Sequence, residues 1–339
     1  MQNLNVKNTA ENIQLDDIAR DLGISKSTVS RAISGKGRVS TETRRRVQDY
    51  IKENNYRPNG IARSLANSKT YNIGVVLPAD NELTEIPFFQ ICLIGAAEAA
   101  AAADYDVVVT TVSSDDISLL KRIVANKKVD GIILTRSEVN DIPANYLKST
   151  NIPFVTVGSS DDDTLFQIDT DHISACEELT SYILLSGNKA TSLLLGNCNH
   201  IVNRSRLQGF MNAHKKNGIP LDDSLIYDNL TSNISIERAM NELLLQKPDC
   251  IVCGDDYICS RVLRKLDEEN LSIPDHIRVA SFYNSSYLLN HNPPITAIDI
   301  NVRELGTVAG QSLINIVEGK AVSKKNLLSY EISIKKSTK

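Results

Sequence analysis

The sequence predicts a small all-α helix-turn-helix head followed by an α/β body of two doubly wound parallel-sheet lobes. The length of 339 residues exceeds what one ordinary hydrophobic core holds. The N-terminal part of the chain carries a net positive charge, and the remainder carries a net negative charge. In addition, the hydrophobic period changes at Tyr71, from helical spacing to short apolar runs that alternate with helical segments.

The charge division separates a basic head from an acidic body. Residues 1–70 hold 13 Lys and Arg against 7 Asp and Glu, whereas residues 71–339 hold 24 against 34. The balance is therefore +6 for the head and −10 for the body. This asymmetry indicates a module that binds a polyanion, joined to a part that does not.

The stretch "LDDIARDLGISKSTVSRAIS" (15–34) predicts two short helices around a tight turn. Gly23 fits the position after the first helix, where a left-handed conformation suits glycine. Ser25 is expected to cap the second helix over 26–34, and Ser40 a third helix. The face of the first helix that packs inward is predicted to be Leu15, Ile18, Ala19 and Leu22.

The outer face of the second helix combines small polar residues with positive charge, at Lys26, Ser27, Ser30 and Arg31. A helix that enters a DNA groove needs short donors and acceptors, and an arginine that can bind guanine through two hydrogen bonds. A solvated face on a small helical bundle has the same pattern, so both interpretations stay open at this point.

The next segment, "NYRPNGIARSLANSKT" (55–70), together with "DIARDLGISKSTVSRAIS" closely resembles the lac repressor (LacI/GalR) family of bacterial transcription regulators. The resemblance covers essentially the whole chain. It implies a helix-turn-helix domain at 13–58 and a hinge helix and linker at 59–70, in which a leucine wedges between base pairs and bends the duplex. The DNA contacts that it implies are Ser25, Lys26, Ser27, Thr28, Ser30, Arg31, Asn59, Ala62, Leu65 and Ala66.

The body shows two series of apolar strand segments separated by helical segments. The strand segments are "NIGVVLP" (72–78), "YDVVVTTV" (105–112), "VDGIILT" (129–135), "IPFVTVG" (152–158), "ATSLLLG" (190–196), "DCIVCG" (249–254) and "IRVASF" (277–282).

For this body the resemblance implies the type I periplasmic-binding-protein fold, an effector-binding and dimerisation domain over 71–339. Three crossovers between the lobes are expected, near 167–171, 295–299 and 321–326. The expected N-lobe comprises about 71–168 and 299–322, and the expected C-lobe about 171–296 and 325–339.

An effector is expected in the cleft at the carboxyl ends of the strands. The effector contacts that the resemblance implies are Phe88, Phe89, His200, Arg206, Asp255, Tyr283 and Asn284. Simpler alternatives stay open: the two Phe fit a core, His200 fits a surface loop, and Arg206 with Asp255 fits a salt bridge.

Two positions depart from the family pattern. Tyr283 and Gly158 stand where relatives often carry an aspartate that binds sugar hydroxyls. Since an unpaired buried hydroxyl is costly, these departures put the usual sugar chemistry in question. The effector is therefore expected to be a sugar, a phosphosugar or a nucleobase-like molecule, with an unliganded cleft as the alternative.

We therefore expect a dimeric repressor that binds a palindromic double-stranded DNA operator and is controlled by a small metabolite. One alternative is a regulator with a degenerate cleft that responds to a partner protein or to no ligand. A second is an enzyme on a doubly wound fold, but G-x-S-x-G, G-x-x-x-x-G-K-[ST] and G-x-G-x-x-G are all absent from the sequence.

Cofactors, metal ions and catalytic residues are not expected. Cys250 and Cys253 have the spacing of a metal or redox pair, but they lie in a segment that reads as a buried strand and are expected to be free thiols. The first residues lack the apolar core of a signal peptide, and the sequence has no 18-residue apolar run. A cytoplasmic homodimer without a membrane segment is expected.

Overall fold

The computed structural model describes residues 14–34, 37–54, 64, 68–80 and 87–339. The chain forms two compact units, residues 1–69 and residues 70–339. We call the first unit the head and the second the body.

The head contains three helices, α1 (Leu15–Leu22), α2 (Lys26–Ser34) and α3 (Thr41–Glu53). Gly23 ends α1 with φ of 65°, in the left-handed region that glycine adopts without a steric penalty. The Ser25 hydroxyl accepts a hydrogen bond from the Thr28 amide at 3.1 Å, and Ser40 accepts one from Thr43 at 3.1 Å. Both predicted caps are confirmed.

Apolar residues from all three helices form the core of the head. Ile18, Val29, Ala32 and Val47 are buried, and Tyr50 and Ile51 of α3 pack against them. Because Val29 points inward, the opposite face of α2 is left to polar residues. The core therefore fixes which face of α2 is available to a partner.

The body alternates strands and helices along the chain. Its strands are β1 (Asn72–Pro78), β2 (Asp106–Val112), β3 (Gly131–Leu134), β4 (Phe154–Val157), β5 (Gln167–Thr170), β6 (Thr191–Leu194), β7 (Ile226–Tyr227), β8 (Cys250–Cys253), β9 (Arg278–Ser281), β10 (Thr296–Ile300), β11 (Lys325–Leu328) and β12 (Tyr330–Ser333). Its α-helices are α4 (Pro87–Ala102), α5 (Ser118–Ala125), α6 (Ile142–Lys148), α7 (His172–Leu185), α8 (Ile201–Asn217), α9 (Asn233–Leu245), α10 (Asp256–Glu268), α11 (Ser286–Leu289) and α12 (Val302–Val317).

In the described part of the chain these strands form two six-stranded sheets, one in each lobe. The N-lobe sheet has the order β11-β5-β4-β3-β1-β2, and all its neighbouring pairs are parallel. The C-lobe sheet has the order β12-β10-β9-β8-β6-β7, and only its edge strand β12 is antiparallel to its neighbour. Buried strands with helices on their faces are the doubly wound arrangement that the apolar runs predict.

Two of the three crossovers lie later in the chain than the sequence indicates. Strand β10 (Thr296–Ile300) pairs with β9, so the chain returns to the N-lobe after Ile300 and not at 295–299. Strand β11 (Lys325–Leu328) pairs with β5 of the N-lobe, whereas β12 pairs with β10 of the C-lobe. The last crossover is therefore at Ser329, and residues 325–328 belong to the N-lobe and not to the predicted C-lobe range.

Glycine allows the two longest N-lobe helices, α4 and α12, to approach closely. A Cβ atom on Gly306 would lie 2.0 Å from the Cys92 carbonyl oxygen, and one on Gly95 would lie 2.0 Å from the Arg303 carbonyl oxygen. Helices α7 and α8 of the C-lobe meet in the same way at Gly209, whose Cβ would lie 2.5 Å from the Ile173 carbonyl oxygen. Each lobe thus contains one pair of helices whose backbones are in direct contact.

Cys250 and Cys253 are buried free thiols of β8. In the part of the chain that the structure describes, no helix is both long and apolar enough to cross a membrane.

Candidate functional site

The head presents the predicted recognition residues on the outer face of α2. Ser25, Lys26, Ser27, Ser30 and Arg31 are exposed, and Thr28 is half-buried. These residues supply hydroxyl, ammonium and guanidinium groups, the chemistry that reads base edges and phosphates. The remaining predicted DNA contacts, Asn59, Ala62, Leu65 and Ala66, lie outside the described residues.

Local bonds already order part of this face. The Ser25 hydroxyl lies 2.8 Å from the Ser27 hydroxyl and 2.7 Å from the Thr28 hydroxyl. The Lys26 ammonium lies 2.7 Å from an Asp16 carboxylate oxygen of α1, and both side chains are exposed. Such an exposed ion pair contributes little to stability, so Lys26 can exchange Asp16 for a phosphate or a base at small cost.

The body has a cleft between its lobes, at the carboxyl ends of the strands of both sheets. It encloses about 760 Å³ of empty space, open solvent at its mouth included. The residues that line it are Phe88, Phe89, Thr135, Arg136, Ser137, Val157, Gly158, Asp169, His172, His200, Val202, Asn203, Arg206, Asp255, Tyr283 and Ile300. Six of the seven predicted effector contacts therefore lie in one cleft.

Asn284 is the predicted contact that this cleft does not include. Its amide donates to an Asp299 carboxylate oxygen at 2.7 Å, and the residue lines a neighbouring groove with Pro87 and Arg303. Tyr283 and Asn284 are adjacent and have different surroundings, so Tyr283 takes the cleft position and Asn284 does not.

Arg206 of α8 lies at the floor of the cleft and is only 7% exposed. Its Nη1 atom donates to the Asn203 side-chain oxygen at 2.9 Å, and the nearest Asp255 oxygen is 4.0 Å away. Its Nε atom has no hydrogen-bond partner within the described residues. The salt bridge that the sequence left open is therefore long, at a distance beyond that of a hydrogen bond.

Asp169 and His172 form a pair that the sequence did not reveal. His172 Nε2 lies 3.2 Å from Asp169 Oδ1, and the Ser159 hydroxyl donates to Asp169 Oδ2 at 2.7 Å. Burial alone would raise the pKa of Asp169, but the His172 ring and these hydrogen bonds outweigh it and hold the pKa below its usual value. Asp169 is therefore ionised, and it orients the ring.

The positions of Asp169 and His172 explain why the sequence did not predict this pair. Asp169 belongs to β5, in a segment interpreted as a crossover, and His172 is the first residue of α7. A polar residue near the carboxyl end of a buried strand, followed three positions later by histidine, is the signal that was present.

The loops on the two sides of the cleft touch at its mouth. Glu138 of the N-lobe and His200 of the C-lobe form a single antiparallel β-bridge, and the Val139 amide donates to the Asn199 carbonyl oxygen at 2.9 Å. Burial lowers the pKa of His200 to about 4, so the ring is neutral near pH 7. His200 thus lines the cleft and also takes part in a contact between the lobes.

Aromatic rings form one wall of the cleft. The ring centroid of Phe88 lies 5.4 Å from that of Phe89 and 6.1 Å from that of Tyr283, both in edge-to-face geometry. Phe88 also packs against the N-lobe core. The phenylalanine pair therefore serves both as core and as cleft wall.

Gly158 also lines the cleft and cannot readily be an aspartate in this backbone. Its φ is +125°, and a Cβ atom there would lie 2.7 Å from the Ser137 hydroxyl oxygen. A side chain would therefore meet both backbone strain and a steric clash.

Comparison with known proteins gives two family matches, one over the head and one over the body. The profile "Bacterial regulatory proteins, lacI family" matches residues 14–59. The profile "Periplasmic binding proteins and sugar binding domain of LacI family" matches residues 70–337. The chain belongs to the LacI family.

Relatives within the LacI family align over nearly the full length of the chain. An HTH-type transcriptional regulator MalR from Staphylococcus xylosus is 32% identical over 91% of this chain and 92% of its own length. A catabolite control protein A from Staphylococcus epidermidis is 27% identical over 93% of this chain and 96% of its own length. The protein is therefore a DNA-binding transcriptional regulator and not an enzyme.

Solved structures bear on the fold. A lac repressor dimer bound to operator and the anti-inducer ONPF superposes with a TM-score of 0.78 at 24% identity, over 97% of this chain and 99% of that chain. At this identity the likeness shows the fold alone. The body has the two-lobe periplasmic-binding-protein fold of type I.

Proposed function

We propose that this LacI-family regulator is a homodimeric, cytoplasmic repressor that binds a palindromic operator and is controlled by a small metabolite in the interlobe cleft. The observation that carries the proposal is the polar, positively charged outer face of α2, which the head core holds away from the interior. A two-fold symmetric dimer matches a palindromic operator, because each half-site then meets the same surface.

In this proposal α2 lies in the major groove. Lys26, Ser27 and Arg31 contact base edges, with Arg31 on a guanine, and Ser25, Thr28 and Ser30 contact phosphates. In the hinge, Leu65 is the minor-groove wedge, with Asn59, Ala62 and Ala66 beside it.

The ligand is a sugar, a phosphosugar or a nucleobase-like molecule that binds between the lobes. Arg206, Asp255 and His200 supply its polar contacts, and Phe88, Phe89 and Tyr283 its apolar wall. The lobes are linked directly by the Glu138–His200 bridge, so a ligand that favours one lobe arrangement biases a two-state element. The resulting change in operator affinity is the regulatory output.

Selection from a randomised duplex pool tests this function. The full-length protein should enrich one palindrome without added metabolite, with a flexible step at its centre. The enriched duplex then serves as the probe for metabolites that strengthen or weaken binding. Enrichment of no sequence, with or without cell extract, would contradict the proposal.

A second candidate function is a regulator whose cleft no longer binds a metabolite and which responds to a partner protein. Gly158 and Tyr283 favour it, since neither offers a carboxylate to a sugar hydroxyl. Calorimetric titration separates the two, because heat of binding from any metabolite, abolished by Arg206→Gln, would count against this candidate.

A further inference from the structure

Resting on the proposed operator function, we infer that Asp130 is a positioning residue: its carboxylate fixes the point where the linker enters the body and thereby sets the spacing of the two operator half-sites. Asp130 is half-buried and immediately precedes β3. It lies 60 positions after Thr70, the residue that it holds. The contact is therefore a long-range one between the N-lobe and the end of the linker, and not a local turn.

The Asp130 carboxylate accepts three hydrogen bonds at the junction of linker and body. Oδ1 accepts from the Thr70 amide at 2.7 Å and from the Thr70 hydroxyl at 3.0 Å, and Oδ2 accepts from the Tyr71 amide at 2.8 Å. Hydrogen bonds to a carboxylate are roughly twice as strong as those between neutral groups. Both oxygens of one side chain therefore hold two consecutive backbone amides in place.

The backbone at this junction has a conformation that needs such support. Tyr71 has φ of +57°, in the left-handed region that is costly for residues other than glycine. The centroid of its ring lies 5.5 Å from that of Tyr105, and Tyr71 packs against the N-lobe core. Strain of this kind persists only where the surrounding contacts over-determine it. The carboxylate and the ring packing together fix the direction in which the chain enters β1.

The junction belongs to the same two strands as the cleft. β1 follows Tyr71 and β3 follows Asp130, and all residues of β3 are buried and pair with β1. At the carboxyl ends of these strands, Arg136 pairs with Asp80 and lines the cleft. Close-packed interiors transmit displacement instead of absorbing it. A movement of the N-lobe at the cleft therefore carries the linker entry with it.

The length of chain that Asp130 holds corresponds to a measurable distance along DNA. Two residues span at most about 7 Å when extended, and successive base pairs rise by about 3.4 Å. Release of Thr70 and Tyr71 would therefore lengthen each tether by up to about two base pairs. In a two-fold dimer each head would then reach half-sites at a wider range of spacings, because a longer tether is less selective for one span.

Competition between operators that differ only in spacing tests the inference. The probes are the selected operator and versions with one base pair added or removed on each side of the central step, measured by fluorescence anisotropy with the full-length protein. The unaltered protein should bind the selected spacing roughly 10-fold or more tighter than the others. Asp130→Asn keeps the volume of the side chain but turns an amide donor toward a backbone N–H, so the preference should fall by roughly 10-fold.

Asp106→Asn is the matched control, because Asp106 is an exposed aspartate at the start of β2 whose backbone amide donates to the Tyr71 carbonyl oxygen. Thr70→Val removes one of the three hydrogen bonds and should lower the preference by a smaller factor, whereas Thr70→Ser, which keeps the hydroxyl, should return it toward that of the unaltered protein. Urea unfolding and the active fraction are measured for each variant. A merely structural role for Asp130 would lower the folded or active fraction and leave the ratio between spacings unchanged.

An unchanged ratio in Asp130→Asn would overturn the inference, as would an equal fall in Asp106→Asn. If Asp130→Asn does not fold, an unchanged ratio in Thr70→Val has the same meaning. The unaltered protein separates this inference from the proposed function. Enrichment of no palindrome would overturn the operator proposal and this inference with it, whereas a selected palindrome with the same spacing preference in every variant would overturn the positioning role alone.

Discussion

Arg31 is the residue of the head whose proposed base contact is the most specific. It is exposed on the outer face of α2, and its side chain runs past Gly37, where an added Cβ would lie 3.3 Å from Arg31 Cδ. We expect Arg31→Ala to relax base preference at one position in each half-site. The cost should be about 1–3 kcal/mol for the preferred base, because a bidentate contact to guanine is lost.

Repeating the duplex selection with Arg31→Ala measures this effect. Arg45→Ala is the matched control, since Arg45 is an exposed arginine of α3 that faces Asp49 at 3.7 Å. An unchanged preference at every position in Arg31→Ala would remove the guanine assignment.

Ionisation of Asp256, at the start of α10, destabilises the folded body. Burial raises its pKa to about 6 from 3.8, and the neighbouring charge of Asp255 adds to the shift. Because the folded-state pKa lies above the unfolded value, the folding penalty is absent below pH about 4 and is complete above pH about 6. Its upper bound is about 3 kcal/mol.

Asp256→Asn should therefore raise the free energy of unfolding more at pH 8 than at pH 4.5, where only part of the penalty applies. Urea unfolding at both pH values measures the difference. Asp267→Asn on the same helix is exposed and serves as the control. A gain that is equal at both pH values would contradict the assigned cause.

At the scale of elements, the head and the central strands follow directly from the sequence. Helix α2 begins and ends at the predicted residues, and β1 spans the predicted 72–78, because a cap or an apolar run marks each boundary locally. Strand β11 was not predicted, because only β5 borders it in the N-lobe sheet and its alternate residues are exposed. Partner choice at a sheet edge is a non-local property.

The cleft likewise depends on contacts between distant parts of the sequence, which limits how far it can be predicted. Its predicted contacts came from motifs on α4, at α8, before α10 and after β9, and six of the seven line it. The Asp169–His172 pair and Arg136 also line it, since the carboxyl ends of β5 and β3 lie at the same edge of the N-lobe sheet. Asn284 lines the neighbouring groove and not this cleft, because neighbouring residues after a strand point in different directions.

The contact between α4 and α12 is the element-scale feature with the sharpest steric requirement. In Gly306→Ala the new Cβ would meet the Cys92 carbonyl oxygen at 2.0 Å, and backbone cannot rotate away as a side chain can. We expect a loss of roughly 1–3 kcal/mol or more in the free energy of unfolding.

Urea unfolding of Gly306→Ala beside Gly187→Ala provides the measurement. Gly187 has φ of +92° and open space around it, so its alanine variant reports backbone strain without a clash. A Gly306→Ala loss no larger than that of Gly187→Ala would show that the helices separate easily.

At the scale of the whole molecule, the residues proposed for DNA bending and for ligand binding belong to different units. Leu65 is the proposed wedge and Arg206 lies in the body, so Leu65→Ala should reduce DNA bending and leave ligand binding intact. Gel mobility of circularly permuted operators measures the bend, and calorimetry measures ligand affinity. An unchanged bend would remove the wedge assignment, and Ser68→Ala offers a control at an exposed residue of the same linker.

The division of charge adds a property of the complete chain. The head carries a balance of +6 and the body −10, so the acidic body opposes non-specific attachment to DNA while the head favours it. In the proposed function, base contacts and not net charge therefore provide the operator preference.

The most direct test of a sequence-specific regulator is the ratio of its affinities for the selected operator and for a scrambled duplex of equal length and composition. The full-length protein should be measured by fluorescence anisotropy at one fixed, physiological salt concentration, with the stoichiometry determined in parallel. The account predicts a ratio of roughly 10³ or more, with two chains on each operator. A ratio near one, with affinity that falls steeply as the salt concentration rises, would mean that the head recognises only the negative charge of DNA. That result would contradict sequence-specific recognition.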